Sequence, residues 1–134
     1  MEAAAASTEI WVLGWSVVLL LVQIIAQASA GADVGPKYLF SSRDDSRVSR
    51  SAVAGRLKRA LNNLLETYPA FIALALGLAV TGKTGGIAAT GAMLWLGARA
   101  VYAVVYAVGI PVARTVIWFI SIIGLVMMLI RFMG

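Results

Sequence analysis

GRLKRALNNLLETYP, from Gly55 to Pro69, runs without a break into the apolar segment from Ala70 to Val80. That junction decides how the chain is read, because it puts ionisable groups at the mouth of a stretch apolar enough to cross a membrane. Charges at or below a bilayer surface persist when they pair with one another, face the interior of a helix bundle or bind something. At about 100° per residue, Arg56, Arg59, Asn63 and Glu66 fall on one arc of roughly 80°, with Asn62 at its margin. The spacing therefore predicts a helix with a single polar stripe. Pro69, three residues past Glu66, cannot donate to the helical ladder and marks a point where the helix is free to kink.

Composition agrees with a membrane setting. The 134 residues are 61% hydrophobic, against roughly half in a soluble domain, and the mean hydropathy is +0.91. A helical span needs roughly 20 apolar residues, so the length suits one domain, 1–134, of at most four spans. Cysteine and histidine are absent. Disulfides, thiolate zinc sites and Cys or His nucleophiles are thereby excluded, and no metal site is expected. The net charge of +5 does not point to nucleic acid, because the basic residues concentrate between Lys37 and Arg59, beside spans and without interleaved aromatics. Positive-inside topology explains them more simply.

Working outward, the first span is predicted over 10–30, with Trp11 and Trp15 as interfacial anchors. Ala28-Ser29-Ala30 resembles a signal-peptidase site, but Glu2 and Glu9 stand where a basic leader would be positive, so the span is read as uncleaved. Gln23 and Gln27, one turn apart, face the bundle; interhelical hydrogen bonding is the simpler reading of the pair. Gly31 to Ser46 forms a loop, and Asp44, Asp45 or Ser46 is the candidate cap of span two, 48–80. Arg43, Arg47 and Arg50 read as a solvated face, topology determinants or anion donors. At 1.5 Å per residue span two is about 50 Å long, so it starts outside the ~30 Å hydrocarbon layer.

Thr81 to Gly86, TGKTGG, is a helix connection, with Gly82 and Gly85 as candidate caps; it lacks the strand and glycine spacing of a phosphate loop. Span three, 87–108, holds one charge, Arg99, and Arg99, Tyr102 and Tyr106 share a face. Tyrosines near a membrane end commonly form an interfacial belt, yet a pair stacked above a charge fits a second polar stripe better. Gly109 to Pro111 turns the chain into span four, 114–131; Arg114 taken alone reads as a headgroup anchor. Gly14, Gly77, Gly91, Gly97 and Gly124 are expected where helices approach closely.

Lys37, Arg43, Arg47, Arg50, Arg56, Lys58, Arg59 and Arg114 lie at one end of the spans, against Lys83 and Arg131 at the other. The expected topology puts the basic end in the cytoplasm and both termini outside. Both polar stripes then meet at the cytoplasmic face. Guanidiniums suit carboxylates or phosphates, and Glu66 suits an ammonium, so the complementary ligand is small, zwitterionic and mostly anionic.

The pattern Arg59-Ala60-x-x-Asn63-x-x-Glu66 followed by Pro69, with Arg99, Tyr102, Tyr106 and Arg114 in order, resembles the MAPEG family, the membrane-associated proteins in eicosanoid and glutathione metabolism. The resemblance covers about Val48 to Arg131. It implies a homotrimer of four-helix subunits, an all-α integral membrane fold, with glutathione bound between subunits near the cytoplasmic face. It further implies that Arg56, Arg59, Asn63, Glu66, Tyr102 and Tyr106 hold glutathione, with Glu66 near its amino group. Arg114 would stabilise the thiolate, and Thr115 stands where some relatives have serine. Asn62 replaces an arginine and Thr67 a tyrosine of some eicosanoid-forming members, and the chain looks more like bacterial members, which implies an inner membrane. The activity so implied is a glutathione-dependent transferase or peroxidase acting on lipophilic electrophiles. A non-catalytic protein whose stripes serve trimer assembly is the alternative. A small transporter ranks last, since the polar groups stop at one end.

Overall fold

A computed structural model describes residues 6–30 and 52–134. The loop from Gly31 to Ser46, its candidate caps, Arg43, Arg47, Arg50 and the expected start of span two at Val48 lie outside the described residues. Within them the chain forms four long helices, α1 (Thr8–Ala30), α2 (Ala52–Val80), α3 (Gly86–Val108) and α4 (Pro111–Met133). All four are long and apolar enough to cross a membrane. The protein is an all-α integral membrane bundle with four spans.

Turn chemistry sets the boundaries. Gly85 and Gly109 have φ of +90° and +91°, a region costly for residues with a Cβ, so they bracket α3. Helix α4 starts at Pro111, three residues before the expected 114, because proline's fixed φ is already helical and its missing N–H is not needed there. Helix α2 continues through Pro69, leaving the Leu65 carbonyl without its usual helical donor.

The helices pack around aromatic rings. Phe71 of α2 stacks on Trp95 of α3 with centroids 4.0 Å apart and planes 6° off parallel, while Tyr68 meets Trp95 edge-on at 5.7 Å. Helix α1 joins through a buried hydroxyl pair. Ser16 Oγ lies 2.7 Å from Tyr68 Oη and donates to Leu13 O, so the tyrosine proton points to the serine. In hydrocarbon such a bond has no competing water. Trp11 and Trp15 sit on the outer face near the start of α1, 55% and 50% exposed, as membrane-interface anchors do.

Helices α3 and α4 form the most extensive pair, and glycine is the reason they meet so closely. A Cβ on Gly91 would stand 2.6 Å from the Gly124 carbonyl, and one on Gly124 would stand 2.6 Å from that of Gly91. At Gly77 a Cβ would meet the Phe132 ring at 2.9 Å. Gly14 and Gly97 depart from expectation: nothing lies within 4 Å of either added Cβ. Gly97 instead floors an apolar groove of about 290 Å³ between α3 and α4, lined also by Met93, Val101, Ile117 and Ile120.

At the end of the bundle holding the α2–α3 turn, two side chains tie the helices together. Glu9, fully buried, accepts the Gly85 N–H through both oxygens at 3.0 and 3.3 Å. Lys83 Nζ donates to Phe132 O at 3.0 Å. Each places charge of the favourable sign at a helix terminus, the carboxylate at the start of α3 and the ammonium at the end of α4.

Candidate functional site

The opposite, basic end gathers both polar stripes. Helix α2 presents Arg56, Arg59, Asn63 and Glu66 along successive turns, and α3 presents Arg99, Tyr102 and Tyr106. They meet by direct contact. Arg99 Nη1 donates to Asn63 Oδ1 at 2.9 Å, and its guanidinium lies 4.4 Å from the Tyr102 ring centre. The Tyr102 and Tyr106 rings are 5.6 Å apart. Arg59 Nε donates to Tyr106 Oη at 3.1 Å, and Arg114, from the first turn of α4, holds its guanidinium 4.7 Å from the Tyr106 ring centre. Tyr106 is thus shared between two cations, one at its hydroxyl and one over its ring, where the negative face of the π system attracts charge. The Glu66 carboxylate is exposed at the same end, one helical turn past Asn63.

Arg56 takes a different position from the rest. Its Nη1 points to Ala107 O at 3.4 Å, and its guanidinium covers Gly109, where an added Cβ would approach Cζ to 3.0 Å. The end of α3 leaves carbonyls unpaired and carries partial negative charge, so a guanidinium there acts as a C-terminal cap. Asn62 is exposed at the margin of the stripe. Thr115 Oγ1 bonds back to Pro111 O at 3.2 Å, while Thr67 Oγ1 is buried without a hydrogen-bond partner among the described residues. Gln23 does face inward, 6% exposed, with its Oε1 buried and unpartnered among the described residues. Gln27 is half-buried.

Arg99 is the residue that sequence reading placed on a stripe without giving it a role. It is 1% exposed, and its Nε and Nη2 have no partner among the described residues. The available signal was its position as the sole charge of span three, since an ionisable group inside a span marks a functional position by default. Glu9 carried no comparable signal, because an acidic residue in a first helical turn is ordinary.

Three helices of one membrane bundle thus deliver guanidiniums, a carboxamide, phenols and a carboxylate to one end of the molecule, beside an apolar groove. That fold and site define a four-span membrane protein with a cationic polar cluster at one end of the bundle. The chain belongs to the MAPEG family, whose sequence model matches residues 10–134. No curated protein and no solved structure matches it.

Proposed function

We propose that the protein is a membrane-bound glutathione-dependent transferase or peroxidase acting on lipophilic electrophiles at the cytoplasmic face. The observation that carries this reading is the convergence of Arg59 and Arg114 on Tyr106 beside the Asn63–Arg99 pair. The donor set fits glutathione: Arg59 and the Asn63 amide suit its carboxylates and carbonyls, and the exposed Glu66 suits its ammonium. Members of the family often use this thiol. Arg114, half-buried and adjacent to a second cation, would hold the sulfur as thiolate, since a nearby positive charge favours the ionised thiol. Tyr102 and Tyr106 would wall the site, and Arg56 would contribute through the end of α3 that it caps.

In the transferase step the thiolate sulfur bonds to an electrophilic carbon as that carbon's leaving group departs with its electron pair. In the peroxidase step two glutathiones become a disulfide while a hydroperoxide is reduced to alcohol and water. The groove at Gly97 and Val101 offers apolar lining for the lipophilic partner at a depth near that of Arg99. A homotrimer, with both termini on the non-cytoplasmic side of a bacterial inner membrane, completes the reading. The alternative is that the stripes serve trimer assembly without catalysis; the capping contact of Arg56 lies within one subunit and favours neither reading.

Calorimetric titration of purified protein with glutathione, together with thiolate absorbance of the bound ligand, tests the proposal. Binding with a raised thiolate fraction at neutral pH is expected. Arg114→Ala should abolish conjugation to a thiol-reactive dye with the oligomer intact. Absence of both binding and thiolate removes the enzyme reading.

A further inference from the structure

The Arg99 guanidinium, on a residue 1% exposed inside a membrane bundle, makes one hydrogen bond among the described residues, to Asn63 Oδ1 at 2.9 Å. The direction of that bond is fixed by chemistry. Arginine has five N–H donors and no acceptor, so the Asn63 atom facing it must be the carbonyl oxygen, whichever way the amide would otherwise turn. Asn63 Nδ2 is left with its two donors free of any hydrogen-bond partner among the described residues, and it is not among the buried unsatisfied atoms. It is therefore reachable from outside. The guanidinium cannot easily swing away, being held over the Tyr102 ring at 4.4 Å.

We propose that Arg99 is a positioning residue: by holding Asn63 Oδ1 inside the bundle it turns the Asn63 N–H donors outward and makes that point of the site selective for an acceptor group of the ligand, a carboxylate or amide carbonyl. The inference rests on the function proposed above for the identity of the ligand and deepens it. Without Arg99 the carboxamide is free to rotate about its terminal torsion, which is broad and roughly two-fold, and the ligand itself would have to order it with the N–H donors outward.

Asparagine occurs only at 62 and 63, which makes the orientation directly observable. In an Asn62→Gln background, ¹⁵N-asparagine labelling leaves one side-chain amide pair in the spectrum of the detergent-solubilised protein. In the absence of ligand, Arg99→Met should move that pair toward the position of a solvated amide, and Arg99→Lys, whose ammonium also only donates, should move it less. Saturating glutathione should shift the pair in the Asn62→Gln protein and shift it less in Arg99→Met. By calorimetry, Arg99→Met and Asn63→Leu should each raise the glutathione Kd about tenfold, a typical loss for a hydrogen bond to a charged group. The double variant should be no worse than either single one. If Arg99→Met fails to fold, Arg99→Lys and Asn63→Leu carry the comparison.

An amide pair unmoved by Arg99 substitution overturns the inference, as do additive losses of affinity from the two single variants, which would mean that Arg99 acts on binding independently of Asn63. Glutathione that binds without shifting the pair also overturns it while leaving the proposed function standing. No heat of binding to the unsubstituted protein overturns the function and the ligand selectivity together, a result distinct from the others because the ligand-free spectrum still reports the orientation.

Discussion

Tyr106 meets Arg59 and Arg114 through different parts of one side chain, with the Arg59 guanidinium also 5.8 Å from the ring centre, and the hydroxyl contact can be separated from those of the ring. Its hydroxyl accepts from Arg59 at 3.1 Å, and its ring lies under Arg114 at 4.7 Å. Tyr106→Phe removes the first and keeps the second; Tyr106→Leu removes both. If the hydroxyl places Arg59 for ligand binding and the ring places Arg114 for thiolate stabilisation, Tyr106→Phe should raise KM for glutathione several-fold with kcat little changed. Tyr106→Leu should lower kcat as well, by about tenfold, in line with a cation–π contact of roughly 1–2 kcal/mol in a desolvated setting. Steady-state conjugation kinetics at varied glutathione concentration separate the two. Equal kcat for both variants would mean that the ring contact plays no part in catalysis. Arg59, Asn63, Glu66, Tyr102 and Tyr106 were legible because helical spacing alone puts them on common faces. The bond from Arg99 to Asn63 was not, since it depends on how α2 and α3 rotate toward each other, and that rotation is set by packing such as the Phe71–Trp95 stack rather than by either segment's periodicity.

Among the elements, the glycines separate what spacing can and cannot reveal. Each reads alike in sequence, a small residue in an apolar span. In the bundle Gly91 and Gly124 hold α3 and α4 in backbone contact, whereas Gly97 opens a groove. Gly91→Ala would force a Cβ to 2.6 Å from the Gly124 carbonyl and also against Met127 and Met128, so the helices must separate. Overpacking of this kind costs about 1–3 kcal/mol, and the apparent Tm in detergent should fall by several degrees. Gly97→Ala, with open space around its Cβ, should leave Tm unchanged or raise it slightly, because alanine restricts the unfolded chain and favours helix. Circular dichroism melts of the two variants check the contrast. The four spans themselves were readable from length and hydropathy. Their ends shifted by a few residues where Pro111 starts a helix earlier than the charge pattern suggests, a feature of backbone geometry rather than of hydropathy.

On the scale of the whole molecule, the polar groups divide between two ends of the bundle, and the division predicts that stability and ligand binding separate. The reactive cluster lies at the end of α3 near Tyr106. Glu9 lies at its start, on Gly85, and 23 residues of α3 at 1.5 Å each put about 35 Å between the two ends. Sites so far apart without shared partners act additively. Glu9→Gln keeps one oxygen to accept the Gly85 N–H but loses the charge that favours the helix N-terminus, a difference of about 1 kcal/mol; Glu9→Leu loses the bond and leaves the N–H buried, a loss of about 1–3 kcal/mol. Apparent Tm should therefore fall in the order Gln, then Leu. The glutathione Kd should stay within about twofold of the unsubstituted protein in both variants, because nothing at the basic end touches Glu9. Melts and calorimetric titration of the same samples decide it. A Kd that follows Tm downward in affinity would show that α1 is held rigidly against α3 over its whole length, the buried Ser16–Tyr68 pair transmitting displacement from one end to the other. A Kd that stays constant while Tm falls would show instead that the Ser16–Tyr68 pair and the aromatic stack beside it absorb the loss. The middle of the bundle would then isolate the site from the end where the helices are tied.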